Sequence, residues 1–132
     1  MFMEAVSDYT VVINNTGDSE AKANLFIKRA HAWKAAGKTA EALSDFSEAI
    51  RLSPLSAAAY LNRGELLMGS GDIALALNDF EKALGLSPES PAALYYAGVA
   101  HERAGDREKG LVYLKRAASL GVREAIERLE GR

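Results

Sequence analysis

The chain has 132 residues, 48% apolar and 26% charged, with a formal net charge of −2, two histidines and no cysteine. That is one domain's worth of material, apolar enough to build a core without disulfides or metals. There is no basic excess to favour nucleic acid or an acidic membrane surface, no thiol for catalysis or zinc, and no apolar run near the roughly 20 residues of a membrane span.

The start of the chain, Met1 to Asp8, lacks a basic segment and carries an early acid at Glu4, so no signal peptide is expected and a cytoplasmic location is. Residues 3–14 read as a helix, and Glu4-Ala5-Val6-Ser7-Asp8-Tyr9 closely matches Glu41-Ala42-Leu43-Ser44-Asp45-Phe46. A loop around Asn15-Thr16-Gly17-Asp18-Ser19 follows, with Ser19 as the expected cap of the next helix. Beyond it Ala35-Ala36-Gly37-Lys38, Gly69-Ser70-Gly71-Asp72 and Arg103-Ala104-Gly105-Asp106 align, and their last glycines lie 34 residues apart.

The same step of 34 links Ala30 with Gly64 and Gly98, Ala42 with Ala76 and Gly110, and Phe46 with Phe80 and Leu114. It also links Ala49, Ala83 and Ala117, then Phe26, Tyr60 and Leu94, and it joins Pro54 to Pro88. Each column has a physical reason. Small residues let two helix backbones approach, bulky ones fill the space between neighbouring repeats, and a glycine supports the left-handed conformation that ends a helix. A proline after the second helix prevents its continuation, and Ser90-Pro91 reads as a cap followed by proline in the first turn. Alanine, the best helix former, occupies 24 positions. Gly121 breaks the last long helix, and residues 122–130 read as a short amphipathic capping helix.

A small residue, a large apolar one, an alanine, a phenylalanine and a proline recurring over 34 residues resembles the tetratricopeptide repeat (TPR) family. The resemblance covers three full repeats, 23–56, 57–90 and 91–122, in one domain spanning 1–132, with 3–14 as a lone second helix (helix B) of a preceding repeat. It implies an all-α fold, a right-handed alpha-alpha superhelix (a TPR solenoid) of antiparallel helix pairs, A then B. It further implies a concave face lined by the A helices, where extended peptides or partner helices lie. Helical spacing then selects the inward residues: Ile27, Lys28, His31 and Lys34; Leu61, Asn62, Glu65 and Met68; Tyr95, Tyr96, Val99, Glu102 and Arg103. One TPR class grips chaperone carboxylates with Lys, Asn, Asn, Lys and Arg. Those places here hold Ile27, His31, Asn62, Ala92 and Tyr96, of which only Asn62 agrees, so that clamp is not carried over.

The expected function is a protein-interaction scaffold with a protein or peptide partner. The alternative is self-assembly, a homo-oligomer joined through the N-terminal half-repeat, where Val6, Tyr9, Ile13 or the tip Met1-Phe2-Met3 would lack full cover, or a fragment of a larger array. Net charges of +2, −3 and +2 over residues 23–56, 57–90 and 91–124, with Lys28, Lys34 and Arg103 on the inward face, suit a peptide with an acidic group near one end. No catalytic residue, metal or cofactor is expected. His31 and His101 have no metal spacing; His101 is expected inside the stack and His31 in the groove. Ser19-Glu20-Ala21-Lys22 matches one motif of penicillin-binding enzymes without its partners, and Gly69-Ser70-Gly71-Asp72 lacks the lysine of a phosphate loop. Asn14-Asn15-Thr16 is formally a glycosylation sequon. Glu41, Asp45 and Glu48, like Asp79, Glu81 and Lys82, are expected on solvated helix faces.

Overall fold

The computed structural model describes residues 1–131. Among these the chain forms eight helices and no strand: α1 (Phe2–Asn14), α2 (Ser19–Ala35), α3 (Thr39–Leu52), α4 (Ala57–Gly69), α5 (Ile73–Leu86), α6 (Pro91–Arg103), α7 (Arg107–Ser119) and α8 (Arg123–Glu130). The all-α class of antiparallel helix pairs expected from the repeat is the one found. The chain divides within α4 into two compact units, Met1–Arg63 and a second beginning at Gly64.

Every glycine the repeat placed at a helix end has a left-handed backbone, with φ of 76° at Gly37, 90° at Gly71 and 95° at Gly105. The following amide closes the turn by donating back across it: Lys38 to the Trp33 carbonyl, Asp72 to Leu67 and Asp106 to His101, each at 2.9 Å. These bonds satisfy carbonyls that the helix end would otherwise leave open. Gly121 (φ 90°) repeats the device, with Val122 donating to Ala117 at 3.1 Å, so α8 leaves α7 by the same kind of turn. Helices α3 and α5 end two residues before Pro54 and Pro88, as the sequence predicts.

In the first unit, α2 packs on both α1 and α3. Ala23, Ala49 and Ala59 form a buried cluster flanked by Phe26, Ile27, Ile50 and Leu52. Arg29 ties the three helices together. Its guanidinium donates to both carboxylate oxygens of Asp45, at 2.7 and 2.8 Å, and to the Thr10 hydroxyl at 3.0 Å. In the second unit the small-residue columns do what their size predicts. A methyl group at Gly98 would sit 2.8 Å from Leu114 Cγ and 3.1 Å from the Gly110 carbonyl oxygen, and one at Gly64 would sit 2.7 Å from the Phe80 ring. Only hydrogen fits where α6 meets α7.

Three expectations need correction. Asp18, not Ser19, caps α2: its carboxylate accepts from the Ala21 amide at 2.8 Å, and the helix begins earlier than the first full repeat. In helix α1 Val6 and Ile13 are buried and Tyr9 and Thr10 half-buried, and Thr10 meets Arg29 at 3.0 Å as Ser47 meets Arg63 at 3.3 Å. Asp8, the apparent match of buried Asp45, is exposed. Val6 and Ile13 therefore do not lack cover; the exposed apolar side chains of this region are Met1, Phe2, Met3, Val11 and Val12. Finally, Asp45 and Asp79 are not solvated but buried, at 4% and 2% exposure, because they lie three residues along the helix from Ala42 and Ala76 and share the apolar face.

Candidate functional site

In the first unit Lys28, His31 and Lys34 are exposed on α2, while Ile27 is half-buried beside the alanine cluster. The His31 ring stands edge-on to Phe46, with centroids 5.4 Å apart. Leu61 and Asn62 on α4 are half-buried. In the second unit Glu65, Tyr95, Tyr96 and Glu102 are half-buried and Arg103 is exposed. Met68 and Val99 depart from the expected solvent-facing position: at 9% and 3% exposure they are core side chains. A helix face near the middle of the apolar arc buries the small and medium hydrophobes first, which spacing alone does not reveal.

The residues that do come together are Tyr95 and Tyr96. They lie on α6 with Pro91 and Ala92, opposite Gly121, Val122, Arg123 and Glu124 at the start of α8, and the two walls enclose a cleft of about 650 Å³. Proline at the first position and the Ser90 hydroxyl, which accepts from the Ala93 amide at 3.3 Å, fix where α6 begins. The left-handed turn at Gly121 and the buried Ala125 place α8, and Arg128 holds it by donating to Glu102 at 3.3 Å.

Each ring packs against another. Tyr96 stacks on Phe80, with centroids 5.7 Å apart and planes 15° from parallel, and Tyr95 meets Tyr96 edge to face at 5.4 Å. The Tyr96 hydroxyl donates to Glu65 at 3.1 Å. Burial, then the nearby charge of Glu65 and its hydrogen bond, with smaller contributions from Tyr95 and Glu124, push the Tyr96 phenol up to about 12. Aromatic side chains packed in this way present area at a reduced ordering cost on binding, a property of recognition surfaces.

His101 lies inside the second unit, its Nε2 2.9 Å from Glu81, with its ring stacked on Tyr113. Tyr113 also donates to Glu81, at 3.2 Å to the nearer oxygen, and burial followed by that carboxylate's charge raises its phenol pKa. Glu81 is thus a cross-helix acceptor, not simply part of a solvated face. Among the described residues no group of three His, Asp or Glu side chains is arranged to hold a metal ion, and no helix is long and apolar enough to cross a membrane. Sequence reasoning missed the α8 wall of the cleft. Its one signal was Gly121, a fourth turn glycine outside the period of 34.

The tetratricopeptide repeat family profile matches residues 27–68 and 64–121, most of the chain. The chain belongs to the tetratricopeptide repeat family. No curated protein is significantly similar to it in sequence. Among solved TPR-like structures, a crystal structure of the MamA protein is 25% identical with a TM-score of 0.68, over 74% of this chain and 53% of that one. A second crystal structure of MamA is 24% identical with a TM-score of 0.69, over 83% and 61%. The first TPR of Spaghetti (RPAP3), bound to the HSP90 peptide SRMEEVD, is 20% identical with a TM-score of 0.81, over 85% and 90%. This TPR chain therefore spans less than two thirds of the MamA chains, and at these identities the last two comparisons show the fold.

Proposed function

We propose that the chain is a protein-interaction scaffold that receives a peptide or partner helix, with the cleft between α6 and the start of α8 as its principal recognition site. The observation that carries this is the pair of packed, half-buried tyrosines lining that cleft. Such rings are characteristic anchors of protein interfaces. A TPR of related fold holding a peptide supports the class of ligand, and Lys28, His31 and Lys34 on α2 offer a further exposed polar surface. The peptide itself is not carried over, because Ile27, Ala92 and Tyr96 replace cations of the chaperone clamp.

Affinity capture from native lysate tests the proposal, with quantitative mass spectrometry of partners held by the parent chain and by Tyr95→Ala/Tyr96→Ala. Losing two interface aromatics costs on the order of 2–4 kcal/mol, so the variant is expected to lose its principal partner by at least about tenfold. Equal recovery by both baits contradicts the site. A second function, self-association, is favoured by Met1, Phe2, Met3, Val11 and Val12, all exposed on or beside α1. Light scattering across a concentration series distinguishes it: a constant monomer mass excludes it.

A further inference from the structure

Resting on the scaffold function proposed above, we propose that the α6–α8 cleft selects a basic residue of its partner, seating a lysine or arginine side chain against Tyr95 and Tyr96 with its charge toward Glu124.

Three observations converge on a cation. The first is the pair of rings. Aromatic faces carry negative potential and attract ammonium and guanidinium groups, most strongly when water is partly excluded. The first unit already uses this: Arg29 lies over Phe26 at 5.2 Å and Arg63 over Tyr60 at 6.0 Å. One period further on, both columns change, to Leu94 and Ala97, so the third repeat supplies neither that ring nor that cation. Among the described residues no lysine or arginine stands over Tyr95 or Tyr96. The second observation is Glu124, which lines the cleft and makes no ion pair among the described residues. The third is the local field. Burial first, then the charge of Glu65 and to the smallest degree that of Glu124, favour the protonated Tyr96 phenol.

An acidic occupant would meet two aromatic rings and the Glu124 carboxylate. Against these stands Arg123, one exposed cation on the same wall. A basic side chain instead lays its methylene stem on the tyrosines and the apolar edge formed by Pro91, Ala92 and Val122, as long cationic side chains do at half-buried sites. This preference is opposite in sign to the acidic peptide that the distribution of charge along the sequence suggests.

The test uses the ¹⁵N-labelled full chain and two probes, acetylated and amidated alanine pentapeptides with a central arginine or a central glutamate. Backbone amide shifts are followed to millimolar probe. The arginine peptide is expected to move the amides of Tyr95, Tyr96, Val122 and Glu124, and the glutamate peptide to leave them in place. In Glu124→Gln, which alters an exposed side chain, the arginine affinity is expected to fall at least threefold while the melting curve is unchanged. Equal shifts from both peptides, no shift from the arginine peptide, or undiminished arginine binding by Glu124→Gln would overturn the proposal. The scaffold function is judged separately. If Tyr95→Ala/Tyr96→Ala loses its lysate partner while neither pentapeptide binds, the recognition site stands and its basic selectivity does not.

Discussion

Arg29 shows how a single side chain can organise a unit. Its bidentate pair with Asp45 leaves the arginine side chain 19% and the aspartate side chain 6% exposed, and the hydrogen bonds to the carboxylate raise the pKa of the guanidinium further. Asp45→Ala strands a largely buried guanidinium, and breaking such a pair costs about 3–5 kcal/mol. Equilibrium urea unfolding should show a loss of about that size, while Glu41→Ala, at an exposed position in the first turn of α3, should stay within roughly 0.5 kcal/mol. Gly98→Ala is a second local test. Helix propensity alone would favour alanine by about 1 kcal/mol, but the added methyl meets Leu114 and a backbone carbonyl that cannot swing aside. Overpacking of that kind costs about 1–3 kcal/mol, so a net loss of stability is expected in the same assay.

Tyr96 gives a pH signature. Its phenol ionises near 12 in the folded chain against an ordinary 10, so the folded state keeps a proton that the unfolded chain loses first. Stability from this group is complete below pH 10 and is lost as pH rises from 10 to 12. Absorbance titration at about 295 nm should show one tyrosine ionising last, and Tyr96→Phe should remove that step. The residue scale was only partly legible in the sequence. Asp45 read as solvated because Glu41, Asp45 and Glu48 share helical spacing. The overlooked signal was a paired recurrence: Arg29 and Asp45 are repeated as Arg63 and Asp79, each 34 residues on. A charge that keeps the period of the core belongs with the core.

At the scale of elements, helix ends were far more legible than helix faces. Gly37, Gly71 and Gly105 mark turns whose left-handed backbone almost demands glycine, so letters and conformation coincide there. Faces were harder. Met68 and Val99 fall on the expected inward side, yet burial depends on what lies across from them, which one helix cannot tell. Gly121 links this scale to the site, since its turn sets α8 against the cleft. Gly121→Ala forces alanine into the left-handed region at about 1–2 kcal/mol. Hydrogen exchange should therefore show α8 opening roughly tenfold more often, with the Arg128–Glu102 bond weakened, while α2 and α3 keep their protection.

For the whole molecule, the period of 34 carried most of the information. It is a statement about hairpins that cannot bury their apolar faces alone and must stack to do so. Period, family and fold agree because all three report that requirement. The recognition site was less visible because half of it lies on α8, which departs from the period. The aromatic half, Tyr95 and Tyr96, was readable as exposed apolar chemistry on a helix face; the opposing wall of Val122, Arg123 and Glu124 needed the fold.

Hydrogen-exchange footprinting of the chain with its captured partner tests the recognition site most directly. Protection is expected over the start of α6, around Pro91 to Tyr96, and over Gly121 to Glu124, and it should vanish with Tyr95→Ala/Tyr96→Ala. Protection confined to α1 or to the exposed side of α7, with the cleft exchanging as in the free chain, would contradict it.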